Sequence, residues 1–181
     1  SAMEIPHRGA EFAALAEKME STLRDILSIP DNYTVLMMQG GSHLQYAAIP
    51  MNLLKDKTSA AYVDTGHWSK AALNEAKKYC DVNVLEGADP AAWHVTGDEA
   101  YLHYVDNETI GGFEFPSIPD DKGLTLVCDM SSNILSRPFD ISRFGLVYAC
   151  AQKNMGPVGN TLVIVRTDLI GDPLAITPSM C

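Results

Sequence analysis

Short apolar runs, too brief to be helices, recur along this chain, and longer segments with helical periodicity stand between them. Tyr33–Met38, Ser59–Val63, Val82–Leu85, Tyr101–Val105, Leu124–Cys128, Leu146–Cys150 and Leu162–Val165 read as strands. Glu11–Ile29 carries Phe12, Leu15, Met19, Leu23, Ile26 and Leu27 at helical spacing, with Pro30 as its stop. Leu44–Leu54 also reads as helical, although Pro50 should kink or interrupt it. Ser69–Tyr79 is a further helix, Gly87–Thr96 a loop holding Trp93, and Asn107–Pro119 a Gly- and Pro-rich stretch with a short strand near Phe113. Strands alternating with helices predict an α/β fold around a largely parallel sheet. With 181 residues and no repeat, low-complexity tract or linker, one domain with a sizeable core is expected.

Charge narrows the function. A net charge of −10 argues against nucleic acid, whose phosphate backbone needs a basic face. No apolar run approaches the roughly 18 residues needed to span a bilayer. The N-terminus lacks the basic-then-apolar pattern of a secretion signal, so a cytoplasmic location is the expectation. Cys80, Cys128, Cys150 and Cys181 form no CxxC pair or zinc-like cluster, so reduced thiols without a catalytic role, and no metal, are expected.

Ligands of open α/β sheets sit beyond the carboxyl ends of the strands, and unusual polar residues fall there. Lys153 follows Leu146–Cys150. A lysine desolvated beside a buried strand becomes a neutral nucleophile able to form a Schiff base with an aldehyde; by position alone, a solvated loop lysine is the readier reading. Asp129 ends Leu124–Cys128 and could keep a cofactor's pyridine nitrogen protonated, or simply cap a turn. Gly40-Gly41-Ser42 could cup a phosphate with free backbone N–H groups, or form a plain turn. Trp68 could stack on a flat ring or fill the core. Thr109 could bond a cofactor oxygen, and His7-Arg8 could clamp a carboxylate or lie on the surface.

The segments Asp129-Met130-Ser131-Ser132-Asn133-Ile134-Leu135-Ser136-Arg137-Pro138 and Tyr148-Ala149-Cys150-Ala151-Gln152-Lys153-Asn154-Met155-Gly156-Pro157 resemble the phosphoserine aminotransferase family. Asn107-Glu108-Thr109 with Gly111-Gly112, the Tyr62–Trp68 stretch and Met3-Glu4-Ile5-Pro6-His7-Arg8-Gly9 are similar too. The resemblance covers nearly the whole chain. It implies the three-layer α/β/α large domain of a class V, fold-type-I transferase that depends on pyridoxal 5′-phosphate (PLP), of which residues 1–181 would be a part, without the C-terminal small domain. It implies a homodimer whose parent enzyme moves an amino group from glutamate to 3-phosphohydroxypyruvate in serine biosynthesis.

By the same resemblance Lys153 would hold PLP covalently and act as the catalytic base. Asp129 would meet the ring nitrogen, Trp68 would stack on the ring and Thr109 would hydrogen-bond the cofactor. Ser42, His43 and Gln152 would line the phosphate, and His7 and Arg8 would face substrate anions. The chain departs from the family at Ser42-His43-Leu44, where a third glycine, then Arg or Cys, then another glycine is usual. His43 replaces such an arginine only when protonated. The loop from Glu86 to Trp93 is shorter than in the family. A serine- or alanine-acting relative, and a non-catalytic PLP-binding or dimerising piece, are the alternatives.

Overall fold

A computed structural model describes residues 4–179 and 181, so Met3 lies outside the described residues. The helices are α1 (Ala10–Leu27), α2 (Gly41–Leu53) and α3 (His67–Ala76). The strands are β1 (Tyr33–Met38), β2 (Ser59–Asp64), β3 (Asp81–Glu86), β4 (Leu102–Val105), β5 (Asn107–Glu108), β6 (Phe113–Glu114), β7 (Leu126–Asp129), β8 (Leu146–Cys150) and β9 (Thr161–Arg166). Seven of them form one sheet in the order β1-β9-β8-β7-β4-β2-β3, and β5 and β6 pair separately as a small antiparallel hairpin.

The sheet is largely parallel, as expected. β8, β7, β4, β2 and β3 run together, and only β9 is reversed, pairing antiparallel with both β8 and β1. Residues alternate between two cores. Ala61, Leu102, Tyr104, Leu126, Cys128, Val147 and Ile164 face one side, where the last turns of α1 (Leu23, Leu27) and loop residues Trp93, Phe115, Ile134 and Phe144 cover them. Tyr62, Val127, Tyr148 and Val163 face the other, under Tyr46, Ile49 and Leu53 of α2 and Ala72 and Leu73 of α3. One outer layer is therefore helical, and the other is half helix, half packed loop.

Several boundaries differ from the periodicity reading. α1 stops at Leu27, with Ser28 left-handed (φ 51), because Pro30 bars Ile29 from the helical region. α2 starts earlier, at Gly41, and runs through Pro50 to Leu53. The proline removes one N–H, and the burial of Tyr46, Ile49 and Leu53 against the sheet outweighs that loss. α3 spans His67–Ala76 because the Ala76 carbonyl takes the N–H of both Tyr79 and Cys80 in a closing turn. Asp129 is the last residue of β7 rather than the first beyond it.

The stretch joining β7 to β8 has no α-helix, only a 3-10 turn at Ile141–Arg143. It is pinned by polar contacts instead. Arg137 donates to buried Asp106 (3.0 Å) and to the Phe115 carbonyl (2.8 Å), and Asn133 donates to Asp106 and Glu114. Desolvation pushes the Asp106 pKa up, and Asn133 and Arg137 pull against it. These bonds hold Met130–Pro138 under the sheet edge and so fix the exit direction of β7.

Candidate active site

The carboxyl ends of β4, β7 and β8 and the starts of α2 and α3 surround one cavity of about 140 Å³. Seven of the nine residues expected at a site line it: Ser42, His43, Trp68, Thr109, Asp129, Gln152 and Lys153. His7 and Arg8 do not; they are exposed on the turn before α1. Asp129 and Lys153, separated along the chain and carried by different elements, thus face a shared space.

Lys153 sits in the turn after β8, and its side chain is exposed. The desolvation expected from the neighbouring strand is absent, because three residues of turn carry the amine away from the core. Its position is set by contacts instead. Nζ donates to Thr109 Oγ1 at 2.7 Å and lies 5.5 Å from the centroid of the Trp68 ring. The amine is therefore held over an aromatic face at the cavity mouth.

Asp129 lines the same cavity and is buried. Desolvation raises its pKa, while bonds from Ser131 and Tyr148 and the charge of Lys153 pull it down. Ser131 N–H donates to its carboxylate at 2.8 Å. The Ser131 hydroxyl also bonds Ser42 Oγ (2.8 Å) and accepts from Cys150 N (3.1 Å), tying the start of α2 to the ends of β7 and β8. Gly40 and Gly41 both adopt left-handed conformations (φ 89 and 64), and a Cβ on Gly40 would stand 2.6 Å from that of Leu44. This double kink turns α2 back over the strand ends. Cys150 is part of the arrangement: its Sγ takes the Ser42 N–H at 2.9 Å.

Two residues, Tyr46 and Glu108, escaped the sequence reading, and so did one feature of an expected residue, the indole N–H of Trp68. Tyr46 lines the cavity, and its buried hydroxyl has no partner among the described residues. It lies three residues after His43 on one helix face, a spacing that could have shown it. Trp68 Nε1 is likewise buried and unpartnered at the cavity wall. Glu108 is fully buried and accepts from Trp68 N and Ser69 N, each at 2.8 Å. It clasps the start of α3, and with it Trp68, to the hairpin that carries Thr109. Gly66 makes room for it, since a Cβ there would stand 2.8 Å from Glu108 Cδ.

The family model described as Aminotransferase class-V matches residues 2–177. A phosphoserine aminotransferase of Laribacter hongkongensis is 54% identical over 189 residues, covering 99% of this chain and 52% of that protein. The structure of a phosphoserine aminotransferase from Bacillus circulans subsp. alkalophilus superposes with a TM-score of 0.93 at 44% identity, over 99% of this chain and 52% of that one. That of a PLP-bound phosphoserine aminotransferase from Trichomonas vaginalis does so with a TM-score of 0.90 at 38% identity, over 98% and 53%. The chain spans about half the length of the curated relatives it matches.

Proposed function

This chain belongs to the class-V aminotransferase family, and from that premise we propose that its cavity is the PLP site of a phosphoserine aminotransferase, of which residues 1–181 form part of the large domain. The observation that carries the reading is the shared cavity of Asp129 and Lys153, with the face of Trp68 beside the amine. The residues fit the cofactor. An amine for an aldehyde, a buried carboxylate for a ring nitrogen, an indole for a flat heterocycle and glycines for a phosphate are all present. The orphaned Tyr46 hydroxyl and Trp68 Nε1 are two buried donors that a ligand rich in acceptors would satisfy.

Lys153 would hold PLP through its amine, and Asp129 would face the ring nitrogen. Trp68 would cover the ring, Thr109 would bond the cofactor, and Ser42, His43 and Gln152 would surround the phosphate. Bound PLP supplies an electron sink for negative charge at the substrate carbon. The chain's own part is positional. Thr109 Oγ1 holds Lys153 Nζ where it can give and take a proton above the Trp68 ring. Burial keeps water from the Asp129 carboxylate, so its charge acts at full strength on whatever cation it meets.

For the whole protein the proposed reaction transfers an amino group from glutamate to 3-phosphohydroxypyruvate, as a cytoplasmic homodimer. Free thiols at all four cysteines suit a reducing compartment. Exposed Ile110 and Val158, beside Thr109 and the Lys153 turn, suit coverage by a second copy. His7 and Arg8 lie outside the cavity of the single chain, so a substrate-anion role needs another chain or segment to bring the anion to them.

The test is absorbance and intact mass of wild type and Lys153→Ala after PLP addition and borohydride reduction. Wild type should gain a reduced PLP adduct and the variant none; an adduct on both would overturn the assignment. Because the chain covers about half of its relatives, a second reading is a piece that binds PLP without turnover. Glutamate-dependent loss of the PLP absorbance band separates the two.

A further inference from the structure

We propose that Ser131 is a positioning residue, joined with Ser42 and Cys150 in a lock that fixes how far the glycine cup at the start of α2 stands from the Asp129 carboxylate. The bonds stand by themselves; their meaning for a cofactor rests on the PLP reading above. Ser131 is buried just past the end of β7 and serves both parts of the cavity. Its N–H donates to Asp129 Oδ1 at 2.8 Å. Its hydroxyl oxygen accepts from Cys150 N at 3.1 Å and lies 2.8 Å from Ser42 Oγ, with either serine as the donor.

Ser42 completes the lock. It is the second residue of α2, where a helix leaves its N–H groups without partners of its own. Here that N–H is spent on Cys150 Sγ at 2.9 Å, and Ser42 Oγ lies 2.8 Å from the same sulfur. Both contacts of the Ser42 hydroxyl are thus inside the protein, which makes this side chain an anchor of the cup. One small cluster joins three element ends: β7 through Ser131, β8 through Cys150 and α2 through Ser42. All three side chains are buried, so little water competes for the bonds. Among the described residues Asp129 and α2 share no direct hydrogen bond, and the polar link between them runs through Ser131.

The consequence is selectivity. PLP carries an anion and a ring nitrogen at a fixed span. A ligand held at two places gains from the second only when the two stand at the span it offers. Pyridoxal has the same ring and aldehyde but no phosphate, so it does not use the cup. The lock therefore favours the phosphorylated ring and is indifferent to the bare one.

Two measurements test this. Thermal unfolding of the free chain is compared for wild type, Ser42→Ala, Ser131→Ala and the double variant. Both single variants remove the bond between the two serines, so the double should lose about 2–4 °C less than the sum of the singles. A loss equal to that sum overturns the lock whether or not PLP binds. Absorbance titrations with PLP and with pyridoxal then follow on the same four chains. Each single variant should lower the ratio of PLP to pyridoxal affinity about tenfold, with pyridoxal itself within about twofold of wild type. The double variant should lower the ratio no further, because the lock is already open. If Ser131→Ala does not fold, Ser42→Ala alone carries the ratio test. An unchanged ratio in the single variants overturns the proposal. So does a double variant whose ratio falls by the product of the two, since the serines would then be independent phosphate contacts. Wild type that takes up neither ligand sinks the cofactor reading and leaves the unfolding cycle to decide the lock.

Discussion

Replacing Glu108 by glutamine exchanges one oxygen for an amide nitrogen in a fully buried side chain, yet it should be among the more damaging conservative changes in this chain. Both carboxylate oxygens are in use, Oε1 on Ser69 N–H and Oε2 on Trp68 N–H, each at 2.8 Å. Glutamine keeps one acceptor and turns an NH₂ group toward the other backbone N–H. One charge-assisted bond is lost, worth about 1.5–3 kcal/mol, and the buried N–H left behind has no substitute acceptor. The negative charge at the start of α3 also goes, worth roughly 0.3–1 kcal/mol. A total near 3 kcal/mol is expected, and at roughly 2–4 °C per kcal/mol for a chain of this size the melting temperature should fall by about 6–12 °C. Thermal unfolding followed by circular dichroism at pH 7 measures it. Trp68 should report the same event locally, through altered fluorescence and weaker PLP retention. A melting temperature within about 2 °C of wild type, with Trp68 emission unchanged, would refute the claim that Glu108 clasps α3 to the Thr109 hairpin.

Gly66→Ala should destabilise by about 1–3 kcal/mol through overpacking, because the new Cβ meets the clamped Glu108 carboxyl at 2.8 Å. Chemical denaturation of the single and double variants should show less than additive loss with Glu108→Ala. Tyr33→Phe should cost about 1 kcal/mol or somewhat more, since its buried hydroxyl donates to the carbonyls of Ile141 and Phe144 and ties β1 to the β7–β8 connection. Urea titration checks it, and an unchanged midpoint would refute the role. Burial opposes the charge on Glu99, but the N–H of Thr96 and the amide of Asn83 outweigh it and hold the pKa at about 2, against an ordinary 4.5. A depressed carboxylate stabilises above its unfolded pKa, and the contribution fades as pH falls from 4.5 toward 2. Glu99→Gln should therefore lower the melting temperature clearly at pH 7 and much less at pH 3; an equal loss at both would be inconsistent with that ionisation.

The strand-sized apolar runs determined the class of fold by themselves. A buried parallel strand must be apolar on both faces, so Leu146–Cys150 and Leu124–Cys128 announce themselves without any neighbour. The residues that follow such strands are bound to gather at one sheet edge, which is why Asp129, Lys153 and Trp68 could be read as a group. Periodicity could not set what depends on partners distant in sequence. α2 passes through Pro50 because the sheet beneath rewards its apolar face, and β9 reverses because it returns beside β8, a matter of pairing and not of propensity. The state of Lys153 was also hidden: its solvation depends on where the turn after β8 carries it. Glu108 and Ser131 look unremarkable in a linear chain. Only the packed sheet removes water from them, and a polar group without water takes its meaning from the neighbours that satisfy it.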